Sequence, residues 1–304
     1  MLPMLVAHGG LVLIEVRSDG AFSVNGLGLH GAPFPLTFSV RGVAGCWTVR
    51  ATAATATELA DLLVHAAKNT IAVVDVATND FVDEEYVQWK PSRMVAQQAT
   101  RCTVHDFGGL ADGVVGLSVE ALVMSREEFP GFLEGWYPYE LTLVGLPEVP
   151  TAERLDEIGL EIGTARHDRP ILPNLPGCCL WYSGHDDCYV WVETTERQVA
   201  AAILGRLLAL LVGSALADTG VTAVTEPADS LVEDLLQQGS DWAGTVEVVS
   251  VQAVTVSLAA TSGPWRLDQP LPEEIDRVAV YDVEEARWRL AARQDRSDHR
   301  GSAP

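Results

Sequence analysis

The sequence predicts an α+β fold in which mostly antiparallel sheets have helices packed on one face. Short β-branched and aromatic runs separated by glycine turns, as in residues 36–40 and 47–50, are typical of antiparallel hairpins. Helix starts followed by apolar residues at helical spacing, as after Thr55 and Glu58, recur between these runs. Because 48 % of the 304 residues are hydrophobic, the chain can bury a large core, which excludes a disordered chain.

The first half of the chain predicts one helix among several strands. The predicted strands are residues 11–16, 21–24, 36–40, 47–50 and 71–76, with a helix at 59–67. Further along, the pattern predicts a strand at 114–124, an aromatic loop at 131–139 and a helix capped by Thr151. The apolar face of that last helix consists of Leu155, Ile158 and Ile162.

The second half repeats the order strand, strand, helix, strand. A hairpin is predicted at 179–183 and 188–193, a long apolar helix continues to Ala217, and a strand follows at 221–225. These two stretches are ββαβ-like units. They are either copies of one module or two common pieces that have the same order of elements.

The rest of the chain predicts a short helix and more strands. Ser230 with Glu233 is typical of a helix start, and residues 246–258 are rich in β-branched residues. Residues 278–281 and 287–290 predict a last hairpin.

The domain organisation follows from one stretch rich in proline. Residues 166–176 contain three prolines and little periodicity, which predicts a linker between domains. We therefore expect an N-terminal α+β domain at 1–165 and a C-terminal α+β domain at 177–292. Residues 293–304 are polar and predict a disordered tail.

The net charge of −22 limits the classes of partner. Such a field repels phosphates, so nucleic-acid binding is disfavoured, whereas a basic protein would be attracted. The alternative is that the acidic surface serves solubility alone. Nearly all of the basic residues are arginine, which indicates a GC-rich coding sequence of the kind found in many bacteria.

The sequence disfavours both a membrane location and secretion. Residues 199–217 are long and apolar, but Arg206 near their centre would cost about 2.5–3.5 kcal/mol in a bilayer. A buried core helix is therefore predicted. Residues 1–10 lack the basic start of a signal peptide, and the five cysteines have no regular spacing. A reducing, cytoplasmic location is expected.

One glycine motif has the spacing of a nucleotide-binding site, but the residues that follow it do not fit such a site. Residues 26–31 have the pattern G-x-G-x-x-G, which binds dinucleotides where the third glycine begins a helix. Here Pro33 and Pro35 follow, and proline interrupts the backbone donors that such a helix start requires. We predict a glycine-rich loop between strands and no cofactor.

A histidine and cysteine cluster at 178–188 provides weak catalytic candidates. His185, Asp187 and Cys188 lie together at the predicted hairpin tip, whereas Cys179 lies about four strand residues away. We therefore predict no metal site. The alternative is that the acids form a polar turn and that the cysteines, including Cys178, are small buried apolar residues.

Two stretches that mix acids and aromatics are candidate binding surfaces. They contribute Asp83, Glu84, Tyr86, Trp89, Trp136 and Tyr137. Trp and Tyr dominate the energetics of many protein interfaces. The alternative is that these rings cover the core while the acids face water.

These observations favour a non-catalytic protein that binds a basic protein partner. An immunity protein or antitoxin, which occludes the active site of a basic toxin, fits the charge. The first alternative is an enzyme of unknown class with a site near His185, Asp187 and Cys188. The second is a self-assembling scaffold subunit in which residues 199–217 form part of an interface. The sequence does not define an oligomeric state.

Overall fold

The computed structural model describes residues 11–16, 22–24, 27–29, 37–43, 45–51, 56–114, 116–165, 169–185, 189–216, 221–236, 241–250, 253–261 and 277–292. The strands in these ranges are β1 (Leu11–Val16), β2 (Phe22–Val24), β3 (Leu27–Leu29), β4 (Thr37–Val43), β5 (Cys46–Ala51), β6 (Thr70–Thr78), β7 (Thr103–Asp106), β8 (Glu120–Ser125), β9 (Pro138–Leu146), β10 (Leu180–His185), β11 (Tyr189–Thr194), β12 (Ala223–Thr225), β13 (Asp241–Ser250), β14 (Ala253–Thr261), β15 (Arg277–Asp282) and β16 (Arg287–Ala292). The α-helices are α1 (Ala60–Ala66), α2 (Pro91–Gln97), α3 (Phe129–Trp136), α4 (Ala152–Thr164), α5 (Arg197–Leu216) and α6 (Asp229–Leu236).

The described strands form a large sheet and a small sheet. The large sheet has twelve strands in the order β16-β15-β14-β13-β4-β5-β11-β10-β9-β6-β8-β7, and the small one has the order β12-β1-β2-β3. Neighbouring strands in the described ranges pair antiparallel throughout. The prediction of an α+β fold with mostly antiparallel sheets is confirmed.

The two predicted hairpins meet near the centre of the large sheet. β4 pairs with β5, β10 pairs with β11, and β5 pairs with β11 so that Val49 lies opposite Val192. In the first ββαβ-like unit, the last strand, β6, stays in the large sheet beside β9. In the second, the last strand, β12, joins the small sheet beside β1. The units share their element order and differ in the pairing of their last strand.

Helix α5 lies in the main core, between the sheets and the shorter helices. Its apolar residues surround the helix, so stability requires that it be covered on all sides. It contacts helices α1 and α6. It also contacts the small sheet through β1, β2 and β12, and the large sheet through β5, β11, β13 and β14. Ile203, Leu208 and Val212 have no exposed surface. This burial leaves these α5 residues unavailable as the interface that the scaffold alternative requires.

Arg206 on α5 explains how a charge is accommodated inside this core. Its guanidinium donates to both carboxylate oxygens of Asp61 at 3.2 Å, to the Glu226 carboxylate and, at 2.7 Å, to the Glu58 carbonyl. The side chain is 11 % exposed. Among the helices in the described ranges, none is long and apolar enough to cross a membrane.

A second core lies on the opposite face of the large sheet. Successive residues of β6 alternate between the two cores, with Ile71 in the main core and Ala72 in the second. Helix α4 covers the second core with Leu155, Ile158 and Ile162. Thr151 caps this helix as predicted, because its hydroxyl accepts the Arg154 N–H at 3.2 Å. Helices therefore pack on both faces of the large sheet, and the prediction of helices on one face is wrong.

The predicted linker packs against the second core. Ile171, Leu172 and Leu175 are buried, and a short 3-10 helix spans Leu172–Asn174. Strands from both sides of the predicted boundary also alternate within one sheet, as in the β5–β11 pairing. These contacts argue against a solvent-exposed linker between two separately folded halves. The predicted tail, 293–304, lies outside the described residues.

Several element boundaries differ from the predictions. The predicted aromatic loop is mostly helix α3, because Phe129, Phe132, Leu133 and Trp136 share a buried helical face. The single run at 246–258 is divided between β13 and β14, which pair as antiparallel strands. Tertiary packing decides these cases over local glycine and proline signals.

The glycine motif has only partial coverage in the structure. Gly28 lies inside β3, which pairs with β2. Gly26 and Gly31 lie outside the described residues. The prediction of a glycine-rich loop is wrong for Leu27–Leu29, which form β3, and the residues that follow the motif, 30–36, lie outside the described residues.

Candidate functional site

The loop after β6 and helix α3 meet at one cluster of aromatic rings, Phe81, Trp89 and Trp136, which we call the aromatic base. The Phe81 ring lies 5.6 Å from the Trp136 ring and 5.8 Å from the Trp89 ring, measured between centroids. Thr78 at the end of β6 pairs with Pro138 at the start of β9. The loop after β6 and the end of α3 therefore lie at the same end of the molecule.

The loop after β6 is held by hydrogen bonds. The Asp83 carboxylate accepts the N–H groups of Glu85 and Val87, both at 2.9 Å. The Gln88 side chain accepts the Thr78 N–H at 3.1 Å and donates to the Phe81 carbonyl at 2.7 Å. The loop is consequently ordered by its own side chains.

Two tyrosines project from this base. Tyr86 is 88 % exposed and Tyr137 is 68 % exposed. Both have left-handed backbone conformations, with φ of 61° and 45°. Such conformations are uncommon for residues other than glycine and cost about 1–3 kcal/mol. We call Asp83, Glu84, Glu85, Tyr86 and Tyr137 the acidic–aromatic surface.

The predicted binding residues fall into two groups. Asp83, Glu84, Tyr86 and Tyr137 are exposed, as a contact surface requires. Trp136 is fully buried and its indole donates to the Thr100 hydroxyl at 3.0 Å, so its predicted role in contacting a partner is wrong. Trp89 is half-buried beneath the guanidinium of Arg93, which lies 3.5 Å from the ring centroid.

A second group of polar residues lies on the large sheet, on the face that carries the second core. Asp75 on β6 is opposite Thr142 on β9, and Glu140 on β9 is opposite His185 on β10. Ser118 donates its hydroxyl hydrogen to Asp75 at 2.6 Å. We call Asp75, Ser118, Glu140 and His185 the polar cluster.

A β-bulge positions Asp75. Before the bulge, odd-numbered residues of β6 such as Ile71 and Val73 lie in the main core. The register then shifts between Val73 and Asp75, so that Asp75 joins the opposite face. Bulges redirect side chains in this way and are frequent beside active sites.

The carboxyl groups of the polar cluster have perturbed protonation. Burial raises the pKa of Asp75, against the opposing effect of the Ser118 hydrogen bond. Burial also raises the pKa of Glu140, the Asp75 charge adds to that increase, and His185 opposes it. Raised carboxyl pKa values permit proton exchange closer to neutral pH.

The predicted catalytic candidates are only partly described. His185 belongs to the polar cluster, and its ring makes an edge contact with Tyr139 at 5.8 Å between centroids. Asp187 and Cys188 lie outside the described residues. A hairpin with strands at 179–183 and 188–193 would place Ser183 opposite residue 188, and this predicted register is wrong because Ser183 pairs with Trp191. Pairing of the hairpin with β9 and β5 on either side fixes the observed register.

Among the described cysteines, Cys46 and Cys178 are buried, and Cys102 and Cys179 are partly buried. Cys46, Cys102, Cys178 and Cys179 are free. Burial raises the pKa of Cys46 and of Cys178 to about 12, which keeps both thiols protonated and unreactive. In the described ranges, no group of three histidine, cysteine or carboxylate residues is arranged to hold a metal.

Asp75, Ser118 and Glu140 were not predicted as site residues. Their segments are far apart in the sequence and meet through sheet pairing and a loop hydrogen bond. One signal could have identified Asp75, which is the one acid within the apolar run at 71–76.

Comparison of the chain with protein-family models, with curated proteins and with solved structures finds no match in any of the three. Function is therefore inferred from the residues of this chain.

Proposed function

We propose that the protein binds a basic protein partner through the acidic–aromatic surface and occludes it, as an immunity protein or antitoxin does. The observation that supports this most is the exposure of Tyr86 and Tyr137 on a shared aromatic base. Large exposed rings are enriched among residues that dominate binding energy.

The backbone of these tyrosines supports the proposal. A left-handed conformation disfavours tyrosine, and high exposure gives it few compensating contacts within the chain. Glycine would relieve the strain at either position. A contact with a partner would provide the missing stabilisation.

The order of the loop also favours tight binding. Asp83 holds the backbone on both sides of Tyr86, and residues Val82 and Gln88 pair as an isolated bridge. A preordered loop loses less conformational entropy when it binds.

Charge defines the chemistry of the partner. Asp83, Glu84 and Glu85 are exposed around Tyr86, and the chain has a net charge of −22. A surface rich in lysine or arginine would complement this charge and associate faster at low salt.

Site-specific crosslinking tests the proposal. The photoreactive residue p-benzoylphenylalanine replaces Tyr86 or Tyr137, and in a matched control it replaces Leu160, an exposed apolar residue on α4. In lysate of the source cell, we expect positions 86 and 137 to crosslink the same basic protein and position 160 not to do so. The identified protein is then purified and must bind the unmodified chain. Equal crosslinking at all three positions, or an acidic partner, would contradict the proposal.

A second function, acid–base catalysis at the polar cluster, is favoured by the bulge that turns Asp75 toward Glu140 and His185. In this role, Glu140 in its protonated form would donate a proton and His185 would accept one. The Ser118 hydrogen bond would orient Asp75 beside them.

Metabolite profiling tests this second function. Small-molecule extracts of the source cell are incubated with the wild-type protein and with Glu140→Gln, a variant of similar shape that cannot exchange the proton. We expect one compound to be consumed by the wild-type protein alone. Identical profiles for the two proteins would argue against catalysis here.

A further inference from the structure

Glu193 is a buried carboxylate outside both sites described above. It lies on β11, opposite Thr48 of β5 and Trp181 of β10, and has no exposed surface. One of its oxygens, Oε2, accepts the N–H groups of Ile171 at 2.8 Å and Leu172 at 2.7 Å.

These bonds attach a covering segment to the sheet. We define the cover segment as residues 169–178, which include the 3-10 helix Leu172–Asn174. The residue before that helix, Ile171, does not cap it with its own side chain, and Glu193 supplies the acceptor from 22 positions away. A remote carboxylate thus holds the start of this helix.

Apolar contacts assist the attachment. Leu172, Leu175 and Cys178 of the cover segment are buried in the second core, together with Trp181 and Trp191. Release of the segment would expose this part of the sheet.

The charged and titratable groups around Glu193 come from three elements. Cys46 on β5 directs its thiol toward Glu193 Oε2 at 4.0 Å, and Arg50 on the same strand favours the ionised carboxylate. Arg50 also lies 3.9 Å from the Trp191 ring centroid, and the Trp191 indole favours ionisation too. On the cover segment, Cys178 is a protonated thiol.

We propose that Glu193 is a proton-controlled latch that holds the cover segment closed when protonated and loosens it when ionised. The physical reason is that ionisation places a charge in a fully buried position, whereas opening returns that charge to water. The two backbone hydrogen bonds favour the ionised carboxylate, so they reduce this effect of burial but do not reverse it.

The size of the pH effect on opening follows from the pKa of Glu193 in the closed and in the open cover segment. Burial outweighs the hydrogen bonds and Arg50 and raises the pKa of Glu193 from 4.5 to about 7. In the open segment an exposed Glu193 would have an ordinary pKa, so the open form binds fewer protons. The opening constant therefore increases about 70-fold between about pH 5 and pH 8.

Hydrogen exchange measured by mass spectrometry tests the latch. Protection factors of peptides covering 171–175 are compared between about pH 5 and pH 8 after correction for intrinsic exchange rates. We expect about a 70-fold loss of protection in the wild-type protein and less than about a threefold change in Glu193→Gln. The matched control, Glu153→Gln on the exposed side of α4, should behave as the wild type does.

Three results would overturn the proposal. The first is wild-type protection that does not depend on pH. The second is Glu193→Gln with the full dependence. The third is protection of 171–175 that equals the protection of α5 at both pH values, which would show that the segment opens only by global unfolding.

A measurement on the wild-type protein keeps the test valid if Glu193→Gln does not fold. The side-chain carboxyl carbon of Glu193 is titrated by nuclear magnetic resonance together with the amides of Ile171 and Leu172. We expect all three to shift with a midpoint near 7. A carboxyl midpoint near the ordinary 4.5 would overturn the proposal.

Discussion

Buried ionisable side chains on the two faces of the large sheet differ in how far partners of opposite charge offset the effect of burial. On the α5 face, Arg206 is paired with two carboxylates, Asp61 and Glu226, and these partners raise its pKa despite burial. On the opposite face, burial raises the pKa of Asp75 and Glu193. The first arrangement keeps its charge at any ordinary pH, whereas the second can exchange protons.

This difference indicates separate roles for the two faces. A fully paired buried charge fixes how α5, α1 and the Glu226 segment fit together. Carboxyl groups with raised pKa values add little stability at neutral pH, since burial disfavours their charge. Groups of this kind are concentrated at functional sites.

Removal of the Arg206 charge should have the largest effect on stability. Arg206→Met leaves the Asp61 and Glu226 carboxylates without their buried partner, and we expect a loss of about 3–5 kcal/mol in the free energy of unfolding. Urea denaturation at neutral pH measures it.

Two further variants control for this result. Arg126→Met removes an exposed partner of Glu127 and should cost less than about 1 kcal/mol. Arg206→Met combined with Asp61→Asn and Glu226→Gln should recover much of the loss. A small effect of Arg206→Met alone would remove the contrast between the two faces.

The pH dependence of the free energy of unfolding should come from the other face of the large sheet, where Glu193 lies. Because the folded pKa of Glu193 is raised to about 7, its stabilising contribution is complete below the unfolded value of 4.5 and is lost as pH rises through 7. We expect the free energy of unfolding to fall by on the order of 2–3 kcal/mol from about pH 5 to pH 8 through this group.

Glu193→Gln should remove that part of the decrease. Urea denaturation of both proteins across this pH range measures the difference. A variant with the same slope as the wild type would assign the pH dependence to other groups, among which Asp75 and Glu140 act in the same direction.

The smallest effect is expected at Asp75. Asp75→Asn keeps an oxygen that can accept the Ser118 hydrogen bond and removes a charge that burial disfavours. At about pH 8 we expect stability within about 1 kcal/mol of the wild type and in the stabilising direction. Asp156→Asn, at a half-exposed partner of His105, is the comparison. A marked destabilisation by Asp75→Asn would show that the charge is structural.

Sequence patterns predicted the fold better than the sites. The caps and periodicities of α4 and the last hairpin are local signals, and both elements lie close to where they were predicted. Arg206 within an apolar run correctly indicated a buried helix, although its partners Asp61 and Glu226 could not be identified. Those partners depend on how separate elements pack.

The sites depended on register and exposure, which a single sequence does not determine. Asp75 reaches the polar cluster through a bulge, and a shift of one residue would place it on the other face. Trp136 and Tyr137 are neighbours in the sequence, yet one is buried and the other 68 % exposed. The end of α3 between them determines which ring is buried and which faces water.

The affinity for the crosslinked partner tests the central proposal most directly. Isothermal titration compares the wild-type chain, the double variant Tyr86→Ala/Tyr137→Ala and the control Leu160→Ala. We expect at least about a 30-fold loss of affinity in the double variant, no change in the control, and weaker wild-type binding as salt is raised. Unchanged affinity in the double variant, or binding independent of salt, would contradict a charge-complementary contact at the acidic–aromatic surface.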